Sequence, residues 1–354
     1  MVRLLGGGMR ALVLEAPNTP FVMKEVPDPV AGPGEAVAKV FAVGAGLTIQ
    51  HIKMGRLPGE FPRIIGHEIT AEIVEVGSGV TDLKVGDAVT SNFYLICGHC
   101  RNCLQGRENL CENFGGMVGK ECDGGYAEYI KLPARTFVKL PDGLDYRNNP
   151  EEVGVVTDAL ATPYKVLKRA DVKPGEWVAV IGAGGGLGVH QLMLAKWAHA
   201  RVIAVDVDTD KFEACRQAGA DAVVDGKSET LAEALMDLTG GRGVDVVVDY
   251  VSAAKTLETG LSVLAPSGRL VTLGGAGQDF RVNAFNLLNH EQSILGSRYV
   301  NRIELLETLE LCARGDIWPI IGLKRPWQDA ERVHDMLEQG KVTGRAALRI
   351  TDPD

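Results

Sequence analysis

No apolar stretch in the 354 residues approaches the ~18–20 that a membrane helix requires. Nor is there a concentration of Lys and Arg: 37 basic residues stand against 46 acidic ones, a formal net charge of −9. That balance excludes a surface built for nucleic acid or an anionic membrane, both of which need clustered positive charge. The opening Met1-Val2-Arg3-Leu4-Leu5, followed at once by Gly6-Gly7-Gly8, lacks the sustained apolar core of a signal peptide. Met9 offers an alternative start, which would make residues 1–8 an extension. Internal repeats and low-complexity tracts are also missing. What remains, with 45% hydrophobic and 23% charged residues, is an ordinary globular composition. At this length two domains are expected rather than one core, in a cytoplasmic protein.

Cysteine is sparse but unevenly placed. Four of the seven, Cys97, Cys100, Cys103 and Cys111, fall within fifteen residues in the spacing C-x2-C-x2-C-x7-C. Residues three apart rarely meet disulfide geometry, and the chain carries no sign of an oxidising compartment. Four thiolates on a tight loop suit tetrahedral Zn²⁺ as a structural site. An iron–sulfur cluster also uses four cysteines, but the Cys-Pro ending of such runs is absent. Cys122, Cys215 and Cys312 are scattered and read as small buried hydrophobes.

Along the chain the texture changes once. The first ~150 residues read as short strands with Gly and Pro punctuation, among them Ala36 to Phe41, Ile69 to Val76 and Ala88-Val89. From about residue 159, strands alternate with helical segments, which is the pattern of a parallel sheet covered by helices. Trp177 to Ile181, Arg201 to Val205, Ala222 to Val224, Val244 to Val248 and Arg269 to Leu273 are the strands. Helices are expected from Gly188 to His199, from Asp208 or Thr209 to Gly219, from Leu231 to Leu238 and near Ala254 to Leu264. Asn301 and Glu304 form a capping box before a helix running through Ala313. A last amphipathic helix, Ala330 to Gln339, and a strand, Ala346 to Ile350, end the chain.

The strand Trp177–Ile181 runs straight into Gly182-Ala183-Gly184-Gly185-Gly186-Leu187-Gly188, and a helix follows. Residues without Cβ let the backbone approach a pyrophosphate, and the helix N-terminus supplies N–H donors. Asp206 closes the next strand, 18 residues after Gly188. A carboxylate there accepts hydrogen bonds from ribose hydroxyls and repels a 2′-phosphate, so the expected cofactor is NAD(H) rather than NADP(H). Lys211 follows within reach of the same ribose.

With the cysteine lobe, the dinucleotide fingerprint and Gly66-His67-Glu68 in one chain, the sequence resembles the zinc-type alcohol dehydrogenases of the medium-chain dehydrogenase/reductase superfamily. Gly77-Ser78-Gly79-Val80, Val85-Gly86-Asp87-Ala88-Val89 and Asp123-Gly124-Gly125-Tyr126-Ala127-Glu128-Tyr129 carry the likeness through the first half. The resemblance implies an α/β chain: a GroES-like, mostly β catalytic domain over residues 9–158, a Rossmann doubly wound parallel-sheet domain over 159–298, and a C-terminal segment, 299–354, completing the first. It also implies a homodimer or homotetramer, and it puts Arg345, in Gly344-Arg345, at the cofactor's pyrophosphate. A solvated surface cation is the alternative for Arg345.

The chain departs from that family at one point. The first ligand of the catalytic zinc is usually a cysteine in a Cys-His-(Ser/Thr)-Asp stretch; here the matching residues are Gly46-Leu47-Thr48-Ile49. The ligand is missing, and Ile49 replaces the aspartate that orients the zinc-binding histidine. The remaining ligand positions match His67 and Asp158. Two readings stay open: a second, catalytic zinc retained by His67, Glu68 and Asp158, or a pocket working without metal, in which His67 and Glu68 fix a strand end. Thr48 and His51 match the family's proton relay, in which a hydroxyl takes the alcohol proton and passes it through the cofactor ribose to histidine. Leu47, Ile49, Leu57 and Phe93 fall where the family lines its substrate cleft, implying an apolar pocket. The resemblance therefore implies NAD-dependent interconversion of a small apolar alcohol and its ketone or aldehyde. A zinc-independent reductase of activated C=C bonds and a catalytically silent dinucleotide-binding protein are the alternatives.

Overall fold

The computed structural model of the chain describes residues 8–274 and 278–353. The possible N-terminal extension therefore lies, apart from Gly8, outside the described residues. Two compact units are present, one formed by the chain up to Asp158 and from Val300 onward, the other by Ala159–Tyr299. No helix among the described residues is long and apolar enough to cross a membrane.

The first unit is organised by one long strand, Glu35–Ala45, whose eleven residues serve three neighbours. Ile69–Val76 runs antiparallel along one side, from Ala36 opposite Val76 to Val43 opposite Ile69. The other side is shared end to end. Tyr129–Pro133 pairs with Glu35–Lys39, and Arg345–Arg349 pairs with Ala42–Ala45, placing Ala346 opposite Ala45. The strand is buried over nearly its whole length, with Val37, Val40, Phe41 and Val43 at 2% exposure or less. A chain end 300 residues away is thus a sheet strand beside residues 42–45.

The second unit is a six-stranded, wholly parallel sheet. Its order is Ala222–Asp225, Arg201–Asp206, Trp177–Ile181, Val244–Asp249, Leu264–Thr272, Ser293–Gly296. Numbered in chain order that is 3-2-1-4-5-6, the doubly wound dinucleotide topology. The strands are rich in Val and Ile because both sheet faces are covered. Ile181, Val205, Val247 and Leu270 form the core together with Leu235 and Leu257 from the flanking helices. The order reverses between the strands Trp177–Ile181 and Val244–Asp249, and the glycine-rich turn lies at that switch point.

Helix ends differ from expectation where local capping wins. The helix expected from Asp208 or Thr209 to Gly219 is a 3₁₀ turn, Thr209–Lys211, followed by Phe212–Gln217. The Asp208 carboxylate caps that turn by accepting from the Asp210 N–H at 3.2 Å. Arg302–Ala313 begins as the capping box requires, with Glu304 accepting from the Asn301 N–H at 3.1 Å.

Candidate active site

In the second unit, Gly182 adopts φ +77°, a left-handed conformation that glycine takes without penalty. A Cβ on Gly188 would overlap the Gly182 carbonyl oxygen, so the helix Gly188–Trp197 packs directly onto the turn that precedes it. A Cβ on Gly184 would press on the Lys211 stem and on Asp206. Asp206 is 8% exposed, and its carboxylate is held by the N–H of Gly184 at 2.7 Å and of Asp208 at 3.0 Å. Gly185, Gly186 and Leu187 complete the approach to the helix, with Leu187 as its first cap. This cradle without Cβ atoms, ending on a helix N-terminus and edged by an anchored carboxylate, fits a dinucleotide without a 2′-phosphate.

In the first unit, the ligand atoms of Cys97, Cys100, Cys103 and Cys111 all lie within 4.8 Å of one another. Backbone N–H groups turn toward them: Cys100 and Cys103 donate to the sulfurs of Cys97 and Cys100 at 3.4 and 3.5 Å, and Glu112 donates to Cys100 at 3.4 Å. Such donors favour thiolate over thiol, and the Cys97 thiol is drawn down to about 5 by the N–H groups of His99 and Cys100. Burial pushes the Cys103 thiol the other way, up to about 12, yet four sulfurs converging on one loop fit a tetrahedral Zn²⁺, which would cross-link the lobe.

A third group of residues gathers where three strands meet. Glu68 immediately precedes Ile69–Val76, Arg345 opens Arg345–Arg349, and between them Glu35–Ala45 ends with Gly44 and Ala45 and is followed by Gly46, whose backbone stays extended. Asp158 is supplied by a π-helical turn, Val156–Leu160, which Thr157 pins by donating to the Ser91 carbonyl at 2.5 Å. Arg345 Nε and Nη2 donate to the two Glu68 oxygens at 2.9 and 2.8 Å, and Nη2 reaches Asp158 Oδ2 at 3.1 Å. Arg345 is 6% exposed, Glu68 1% and Asp158 3%. This burial excludes the solvated surface cation; the guanidinium lies between Glu68 and Asp158, where the resemblance had put it at the pyrophosphate.

Two buried carboxylates share the Arg345 guanidinium. Burial accordingly pushes the Glu68 carboxyl up to about 7, against the pull of Arg345. His67, 1% exposed, packs on Phe93 with ring centroids 4.6 Å apart. Its Nε2 lies 3.6 Å from Asp158 Oδ2, and neither ring nitrogen has a hydrogen-bond partner among the described residues. An imidazole without hydrogen-bond partners does not by itself make a zinc site. Among the described residues, the four cysteines are the one set of three or more such ligand atoms lying within 4.8 Å of one another. A divalent ion at His67 would share both carboxylates with a guanidinium already bound to them. The residues present do not fit a catalytic zinc.

The short helix Leu47–Lys53 places Thr48 and His51 three residues apart, hence on one face, and both are half-buried. Burial and the neighbouring Arg56 push the His51 pKa down from 6.5, partly opposed by Glu338. Of the residues expected to line an apolar cleft, Leu47 is 53% exposed and Leu57 partly exposed. Ile49 and Phe93 are buried, at 1% and 0%.

Sequence reasoning passed over the supports of this helix. Lys53 pairs with Glu331 at 2.8 Å, and Gln50 donates to Glu338 at 3.0 Å, both partners standing on the helix Ala330–Glu338. His334, fully buried on the same helix, is driven down to about 3 by burial and Lys53, so it is a neutral imidazole. Its Nδ1–H donates to the Gln50 side-chain oxygen at 2.8 Å, and its Nε2 accepts from the Tyr126 hydroxyl at 2.9 Å. Gly44 was also silent in the sequence. Its spacing of two from Gly46 on a strand, which puts both on one face, was the available signal.

Comparison with known proteins points one way. Residues 32–142 match the alcohol dehydrogenase GroES-like domain, and residues 186–314 match the zinc-binding dehydrogenase domain. An alcohol dehydrogenase of Geobacillus stearothermophilus is 36% identical over 345 residues, covering 97% of this chain and 100% of that protein. An NAD-dependent alcohol dehydrogenase of Sulfurisphaera tokodaii is 31% identical over 351 residues, covering 96% and 99%. The crystal structure of the alcohol dehydrogenase from Aeropyrum pernix superposes with a TM-score of 0.87 at 31% identity, covering 96% and 100%.

Proposed function

Because the chain belongs to the zinc-type alcohol dehydrogenase family, we propose that this NAD-dependent alcohol oxidoreductase interconverts a small apolar alcohol and its ketone or aldehyde without a metal at His67. The observation that carries this reading is the pairing of Thr48 and His51 on one half-buried helix face, braced from behind by Ala330–Glu338. NAD bound at Gly182–Gly188 and Asp206 supplies the hydride acceptor. Thr48 hydrogen-bonds the substrate hydroxyl and, as the carbonyl forms, takes up its proton while releasing its own toward His51. His51, neutral at physiological pH, is the terminal proton acceptor. Leu47 and Leu57 offer apolar surface to the substrate's carbon chain, whereas Ile49 and Phe93 are buried. A homodimer or homotetramer in the cytoplasm completes the proposal, on the strength of the family resemblance.

The test is a panel of primary and secondary apolar alcohols with NAD⁺, run beside the matching ketones, aldehydes and enones with NADH. Turnover of alcohols and simple carbonyls is expected. The Arg345 pairing favours one competing reading, reduction of activated C=C bonds, where conjugation replaces metal polarisation. Turnover of enones alone would establish that instead.

His51 also sets an expected pH profile. A lowered pKa leaves the imidazole able to accept a proton down to below pH 6.5, so kcat/KM for alcohol oxidation should stay level through neutrality and fall at more acid pH. Glu338→Gln removes the charge that holds the His51 pKa up and the partner of Arg56, which pushes it down. The acid limb should therefore move to lower pH in that variant. A limb that stays in place would separate His51 from the rate-controlling proton transfer.

A further inference from the structure

We propose that the Arg345 guanidinium is the resident cation of the His67–Glu68–Asp158 centre, and that it keeps a divalent metal out. The observations are steric and electrostatic. A Cβ on Gly46 would overlap the guanidinium carbon and both terminal nitrogens of Arg345, while a Cβ on Gly44 would overlap the Glu68 carboxylate. Neither glycine has a φ in the left-handed range, so no left-handed conformation explains their presence. They leave out side-chain volume on one face of a strand, and the buried Arg345–Glu68 pair occupies it. Register supplies the rest: Ala346 opposite Ala45 carries Arg345 to the level of residue 46, and Val43 opposite Ile69 carries Glu68 to the level of Gly44.

The arrangement explains why a missing cysteine at residue 46 has not left a hole. A guanidinium is planar and permanently charged, and its fork meets carboxylates at two points at once. Here it satisfies Glu68 through two nitrogens and reaches Asp158 with one of them. Both anionic groups a metal would need are thereby committed to a positive charge that is covalently part of the chain. Arg345 is a positioning residue in this scheme: it fixes Glu68 and Asp158 and leaves carbonyl polarisation to hydroxyl donors. The inference extends the metal-free reading given above, but its test does not depend on turnover.

The test is metal counting on the full chain, incubated with excess Zn²⁺, dialysed, and analysed for zinc per polypeptide. One zinc is expected in the wild type, one in His67→Ala, and none in Cys103→Ser. The double variant Gly46→Cys/Arg345→Ala restores a thiolate and removes the cation, and its zinc content should double to two. Its cobalt-substituted form should also gain thiolate-to-cobalt absorption that His67→Ala abolishes. Two zinc ions in the wild type, falling to one with His67→Ala, would overturn the proposal, and so would a folded double variant that still holds one. The wild-type count decides the matter even where the double variant fails to fold. If the alcohol panel is negative while the count is one, the substrate reading fails and this one stands.

Discussion

Arg345→Ala is expected to destabilise the first unit by about 3–5 kcal/mol, the usual effect of removing one partner from a buried ion pair. The magnitude follows from what would be left behind. Glu68 and Asp158, at 1% and 3% exposure, would lose the guanidinium that both contact, in a setting with little water. The strand Arg345–Arg349 would lose the side chain that reaches across Glu35–Ala45 to Glu68, at the entry of Ile69–Val76. Urea denaturation followed by circular dichroism measures the effect, provided the two units' transitions are resolved. Adding Glu68→Gln and Asp158→Asn to the alanine variant should recover much of the loss, because neutral amides leave no uncompensated charge. The effects must then be non-additive. Additivity, with the amides each costing extra, would mean that Arg345 stabilises by packing alone.

Thr48→Ala is expected to lower kcat/KM for alcohol oxidation by about 10²–10⁴-fold, the range typical of losing a positioned proton-transfer group. A metal lowers the pKa of a bound alcohol and can partly compensate for a lost relay. The pocket here does not fit one, so the hydroxyl of Thr48 carries more of the reaction. Thr48→Ser should retain most activity, since it keeps the hydroxyl and removes only a methyl group. NADH affinity, read by fluorescence titration, should be unchanged in both. Enone reduction that survives Thr48→Ala at full rate would shift the assignment to the C=C reading.

The parts of this molecule legible in the sequence are those specified over short distances. Trp177 to Gly188 contains strand, turn and helix start in twelve residues, and each is required by its neighbours. The cysteine lobe is likewise self-contained between Cys97 and Cys111. By contrast, Arg345 sits beside Glu68 only because Arg345–Arg349 pairs with Ala42–Ala45, a contact between chain segments 300 residues apart. Gly46 was visible as a missing ligand, yet nothing local says what fills the space. The support of Thr48 and His51 by Glu331, His334 and Glu338 is long-range in the same way, and a charged, amphipathic C-terminal helix carries no sign of it.

The two glycines of the strand end impose an order on sequence change. Gly46→Cys alone drives a side chain into the guanidinium, and Arg345→Ala alone strands two carboxylates. Each step toward a metal-binding centre is thus expected to be harmful by itself and the pair productive, which stability and zinc content of the two single variants and the double variant will check. In the language of fitness landscapes the site sits across a valley of sign epistasis from its metal-binding counterpart. Libraries of single substitutions will not cross it, whereas a library that varies residues 46 and 345 together samples the far side directly.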